Sequence, residues 1–234
     1  MVDVSVGLTV SWRAYLSIQH IQSAAIFTRQ AAKIEEEYIE SNNRELYHEH
    51  KSYVTGAIFA TIAFLEANIN EIFADCFEGV PSSSLKELGK EKLELIGDVW
   101  DIPKTAHYSM LDKYQIVLIL AQKEKFNKGV TPYQDIQILI RLRNSLIHYE
   151  PEFIVTHSDE PEEITRHKFE KSLRNKFSLS PLVGAGNPFF PDRCLSYGCA
   201  KWAIESSLRF TDEFFSRLKV KPTYDHVRDK LILE

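Results

Sequence analysis

The stretch Val54-Thr55-Gly56-Ala57-Ile58-Phe59-Ala60-Thr61-Ile62-Ala63-Phe64-Leu65-Glu66-Ala67-Asn68-Ile69-Asn70-Glu71-Ile72-Phe73 decides the fold class. Val54, Ile58, Ile62, Leu65, Ile69 and Ile72 recur every three or four positions, and Phe73 completes the last turn. That is the period of one helix face, not the alternation of a strand. The pattern predicts one long amphipathic helix over 44–77. Gly79-Val80-Pro81 ends it, and Ser82-Ser83-Ser84 can cap the next helix.

The same period governs the flanks. Over 12–40, Leu16, Phe27, Ile34 and Tyr38 fall on one stripe, and Ser41-Asn42-Asn43 separates this helix from the long one. A shorter helix over 85–99 stops before Pro103, and one over 109–122 is rich enough in Ile and Leu to be buried. Lys128-Gly129-Val130-Thr131-Pro132 is a turn, with Thr131 as N-cap and Pro132 at the first helical position. The helix it opens runs to 148 or 149, where Pro151 limits it. Beyond lies a less regular region. The acidic run Asp159-Glu160-Pro161-Glu162-Glu163 leads into a charged helix ending near Lys176, and 180–188 is a loop by its turn residues. A final helix over 193–218 carries Tyr197, Ile204, Leu208, Phe215 and Leu218 on one face. No repeat and no convincing strand pairing interrupts this, so the expected architecture is an all-α bundle in one domain over 1–234, irregular at about 151–192.

Composition narrows the function. Hydrophobic residues at 44% and charged residues at 26% are ordinary for a soluble globular chain. A net charge of −5 argues against a protein that coats duplex nucleic acid, yet leaves room for a local basic cleft on an acidic body. Cys76, Cys194 and Cys199 form no CxxC pattern and read as buried free thiols of a reducing compartment. No Lys or Arg precedes Arg13 and no long apolar core follows, so the start does not read as a signal peptide. No run approaches the ~18 consecutive apolar residues of a membrane span. A cytoplasmic protein without a membrane segment is expected.

Chemistry concentrates in Arg141-Leu142-Arg143-Asn144-Ser145-Leu146-Ile147-His148-Tyr149. On a helical wheel Ile136, Leu139, Ile140, Leu142, Leu146 and Ile147 share an apolar arc. Asn144 and His148 lie on the opposite side with Arg141 near them. Arg143 falls inside the apolar arc, where a charge needs compensation. Two readings stand. Arg143 is either one half of a buried ion pair, with Glu66 its best partner ahead of Glu71 and Asp75, or a guanidinium bordering a cleft and reaching a phosphate. His148 is either an ordinary surface histidine or a proton-transfer group, since an imidazole exchanges protons near neutral pH. Asn144 is either a solvated helix residue or an orienting group, and Tyr149 an aromatic packed at the helix end.

Arg143, Asn144 and His148 match, position by position, the Arg-x4-6-His motif with its polar residue after the Arg, and the chain resembles the HEPN family of small α-helical proteins. Phe64-Leu65-Glu66-Ala67-Asn68-Ile69-Asn70-Glu71-Ile72-Phe73 is similar to the acidic, Asn-bearing helix that many members pack beside the motif. Outside these two segments the likeness is one of helix order. The resemblance implies a homodimer joining two motifs across a shared cleft, and a metal-independent endoribonuclease that acts as a toxin or defence effector. A ribose 2′-hydroxyl would attack its own 3′-phosphate and leave a 2′,3′-cyclic phosphate. His148 would act as general acid or base, Arg143 would stabilise charge on the phosphate, and Asn144 would orient either group. Glu66, Asn70, Arg141 and Tyr149 would support them. RNA is the implied substrate, a cognate antitoxin or other protein the further partner, and no cofactor or metal is implied. In relatives silenced by nucleotidyl transfer onto a tyrosine, one residue separates that Tyr from the His. Here Tyr149 follows His148 directly and Glu150 holds the position beyond, which puts that control in doubt. The alternative is a catalytically inactive HEPN-like module that binds a nucleotide, RNA or a protein partner, with Arg143 purely structural.

Other signals weigh less. His48 and His50 splay about 200° apart on a helix and read as solvated surface residues, with no further ligands at metal-like spacing. Arg166, His167, Lys168, Lys171, Arg174 and Lys176 are interleaved with Glu162, Glu163 and Glu170 and read as a charged solvent face. Gly184-Ala185-Gly186 lacks the strand–turn–helix setting of a phosphate loop.

Overall fold

The computed structural model describes residues 13–102, 107–150, 168–184 and 186–233. Among them there is no strand. The helices are α1 (Leu16–Ser41), α2 (Leu46–Phe77), α3 (Lys90–Asp101), α4 (Met110–Leu120), α5 (Tyr133–Ile147), α6 (Lys168–Leu173) and α7 (Tyr197–Leu218), with 3₁₀ turns at Leu85–Leu88 and Asp225–Leu231. The fold is all-α, as its periodicity requires.

α2 is the axis. All seven apolar positions of its stripe are buried, and α1, α3 and α7 pack around it. By length and composition α2 would suit a membrane, with a mean hydropathy of 1.4 in its most apolar window. More than half of that window is buried inside this bundle, and a core helix of a soluble protein has the same profile. α1 meets it through small side chains. Ala24, Ala25, Thr28 and Ala31 are fully buried between Ile21 and Ile34, which lets the two backbones approach. The stripe predicted for α1 is therefore partly displaced, and Leu16 stands half exposed. On α2, Gly56 receives the Phe27 ring, which lies 3.1 Å from where a Cβ would stand. α3 crosses the end of α2 at Gly97, where a Cβ would meet the Cys76 carbonyl and the Phe77 backbone at 2.9 Å.

α4 begins at Ser109, whose hydroxyl accepts from the Asp112 amide at 3.2 Å. α5 begins at Tyr133 without a side-chain cap, so Thr131 does not take the capping role predicted for it. The buried Tyr133 packs edge-on to Phe210 of α7, and α5 lies between α2 and α7. α7 starts later than predicted. Ser196 caps it by accepting from the Cys199 amide at 3.0 Å, while Phe189–Arg193 forms a separate turn in which Phe190 is extended. After α7 the chain turns back over α1. Tyr224, fully buried, is hydrogen-bonded to the hydroxyl of Thr211 at 2.7 Å and donates to Asp212 at 2.6 Å. No apolar period marks 225–231, which gave no sequence signal.

Candidate functional site at the end of the fifth helix

α5 delivers the motif residues to three environments. Arg141 is exposed, donating from Nε to the Gln137 carbonyl at 3.4 Å, and borders an open groove of about 440 Å³ with Ser109, Leu111 and Ile140. Asn144 is exposed one turn later. His148 is also exposed, just past the helix, with φ −105° and ψ 47°, and its amide donates to the Asn144 carbonyl at 2.8 Å. Arg143 is half-buried, and its Nε is buried without a hydrogen-bond partner. Among the described residues no carboxylate lies within ion-pair distance of Arg143, and no side-chain hydrogen bond joins Arg143, Asn144 and His148. Tyr149, nearly half exposed, holds its ring 6.2 Å from that of Phe190.

The predicted Arg143–Glu66 pair is not made. Glu66 instead accepts from Lys113 Nζ at 2.7 Å and from Asn70 Nδ2 at 3.4 Å, while Asn70 Oδ1 accepts from Lys113 at 2.9 Å. The Lys113 ammonium also sits 5.9 Å from the centre of the Trp100 ring. Lys113 is only 2% exposed and needs a counter-charge more than the half-buried Arg143 does. The other two candidates are also engaged. Glu71 accepts from the Ser17 amide and hydroxyl at 2.9 and 2.5 Å, and Asp75 pairs with Arg13 Nε at 3.1 Å. Burial raises the Asp75 carboxyl above its usual range, and the Arg13 charge works against that rise. Glu66 and Asn70 thus serve a buried lysine of α4 rather than the motif arginine.

The fold revises two further readings. His48 is exposed, but His50 is fully buried, with Nε2 2.9 Å from Glu35 Oε1, which also accepts from the Tyr197 amide at 2.7 Å. His50 tethers α1 to α2 and is not a surface residue. The three cysteines are free and buried, and desolvation pushes the Cys76 and Cys194 thiols up to about 12 and Cys199 well above its usual value. Thiols so held are poor nucleophiles at neutral pH. Among the described residues no three His, Cys, Asp or Glu side chains are grouped as a metal site. The acidic stretch 159–163, Arg166 and His167 lie outside the described residues.

A cavity of about 610 Å³ went unnoticed in the sequence. It lies between the start of α1, the second half of α2 and 221–226, lined by Ser17, Asn68, Glu71, Asp75, Thr223 and His226 among others. Its walls come from segments more than 140 residues apart, which no local pattern connects. A comparison with known protein families, curated sequences and solved structures gave no match to this chain.

Proposed function

We propose that this chain is a metal-independent endoribonuclease of the HEPN type, a homodimeric toxin or defence effector of the cytoplasm. The observation that carries the reading is a guanidinium with no counter-charge among the described residues, five residues before an exposed imidazole at the end of the same helix. A buried N–H without a partner costs about 1–3 kcal/mol, so a group kept in that state has work outside the fold. In the proposed reaction His148 removes the proton from a ribose 2′-hydroxyl or returns one to the departing 5′-oxygen. The 2′-oxygen bonds to the neighbouring phosphorus, the bond from phosphorus to the 5′-oxygen breaks, and a 2′,3′-cyclic phosphate and a 5′-hydroxyl result. Arg143 offers its fork to the phosphate oxygens as charge builds. Asn144, on the exposed side with His148, orients the imidazole or a phosphate oxygen. A second copy of the motif supplies the partner acid or base, because one imidazole does not fill both roles in one step.

A second reading has an observation of its own. Arg143, Asn144 and His148 share no side-chain hydrogen bond among the described residues, which suits an inactive module that binds a nucleotide, RNA or a protein partner. One experiment separates them: RNA cleavage by the intact chain and by His148→Ala, with and without chelator. The nuclease reading expects cleavage that survives chelation and is lost in the variant. Cleavage that stops with chelator and returns with magnesium refutes the mechanism, and undiminished cleavage by the variant removes His148 from it. RNA binding without cleavage supports the second reading.

A further inference from the structure

We propose that the cavity between α6, Phe177 and the turn Phe189–Arg193 is a subsite for one nucleotide of single-stranded RNA, next to the motif at the end of α5. This rests on RNA being the substrate, and adds where the strand runs.

The cavity measures about 240 Å³, and Phe177, Phe189, Arg174 and Arg193 are among its walls. Aromatic faces beside guanidinium groups are the pairing that single-stranded RNA sites use, rings for the bases and arginine for the phosphates. The Arg193 side chain has no hydrogen bond or ion pair with any described residue, whereas Arg174 is held by Glu170 at 3.0 Å. Among the described residues the charges lining this cavity therefore leave one without a partner, the guanidinium of Arg193.

Geometry joins this cavity to the motif. Phe190 is extended, with φ −115° and ψ 136°, which interrupts the turn Phe189–Arg193. Phe189 lines the cavity, while Phe190 lies 6.2 Å from Tyr149, the residue after His148. The cavity and the end of α5 are thus linked through two adjacent residues, Phe189 in the cavity wall and Phe190 near the Tyr149 ring. Lys176 ties the segment to α5 through Asp135 at 2.7 Å. The opposite edge is closed by the Ser180 amide donating to the Arg193 carbonyl at 2.8 Å and Ser196 donating to the Ser178 carbonyl at 2.6 Å. A site held on both edges is organised before its ligand arrives, which lowers the ordering cost of binding.

The test uses the full chain carrying His148→Ala, so that bound RNA is not consumed, and a fluorescent single-stranded oligoribonucleotide read by anisotropy. Adding Arg193→Glu is expected to weaken binding roughly tenfold and to reduce the log–log salt slope by about 0.7, one phosphate contact. Arg193→Gln, which removes the charge without reversing it, is expected to weaken binding severalfold with the same loss of slope. Lys90→Glu, at an exposed position on α3, makes an equal change in net charge and is the control. Equal binding by the Arg193→Glu and Lys90→Glu proteins overturns the subsite, and so does a parent that binds no RNA. Failure of the nuclease reading shows separately, as an intact chain that binds RNA but does not cut it.

Discussion

Two cations in this molecule meet the interior on opposite terms. Lys113 on α4 is almost wholly buried and is surrounded by Glu66, Asn70 and the face of Trp100. Arg143 on α5 is half-buried, and its buried Nε has no hydrogen-bond partner among the described residues. The first is a cation the fold has neutralised. The second has no counter-charge among the described residues, and it lies five positions before the exposed His148 at the end of α5. Burial of a charge thus identifies structure when the partners converge, and points outward when they do not.

The largest expected effect breaks the comparison at its functional end. On the proposed nuclease reading, His148→Ala should slow RNA cleavage by about 10²–10⁴-fold, the usual contribution of a positioned acid–base group. Its melting temperature should stay within a degree or two of the parent, because the side chain is exposed. A matching loss of thermal stability would make His148 structural.

At the neutralised end, Glu66→Gln strands the Lys113 ammonium and should cost about 2–4 kcal/mol in urea unfolding, below the full penalty of a sealed pair because Glu66 is partly exposed. Arg143→Gln should cost under about 1 kcal/mol, since no ion pair among the described residues is lost, and on the proposed nuclease reading it should remove cleavage. Equal stability losses for the two variants would dissolve the distinction between the two cations.

Gly97→Ala is an intermediate case, testing packing rather than charge. Its Cβ would stand 2.9 Å from main-chain atoms of Cys76 and Phe77, so α3 must move, at a cost of about 1–3 kcal/mol. An unchanged unfolding midpoint would mean that α3 and α2 are less tightly apposed than this.

The last test concerns pH. Burial pushes the Cys76 and Cys194 thiols from 9.0 up to about 12 in the folded chain. A raised folded pKa gives stability that is full below pH 9 and is lost as pH rises towards about 12, because the unfolded thiols ionise first. The native protein at pH 8 should react with a thiol reagent far more slowly than the urea-unfolded chain. Comparable rates would show that these cysteines are open to solvent.

Much of the architecture was legible because periodicity is local. Val54 to Phe73 announced α2, and every position of that stripe is buried. On α5 the arc held for Ile136, Leu139 and Leu142 inside and Arg141, Asn144 and His148 outside, but failed at Ile147, which is half exposed at the helix end. Errors arose where several helices compete for one group. His50 reads as solvated on its own helix, yet α1 brings Glu35 against it. Leu16 reads as core, yet the small residues of α1 win the contact with α2.

The sequence by itself determined the helical class, the central place of α2 and the grouping of Arg143, Asn144 and His148 on one short segment. Each follows from a rise and rotation per residue that the backbone imposes whatever surrounds it. Only the tertiary structure decided that Glu66 serves Lys113, that Arg143 has no ion-pair partner among the described residues, and that Phe177, Phe189 and Arg193 line one cavity. Those outcomes depend on which charges are buried deepest and which chain segments arrive together. A helical wheel sees one helix at a time, whereas the partner of a buried charge is settled by desolvation across all of them.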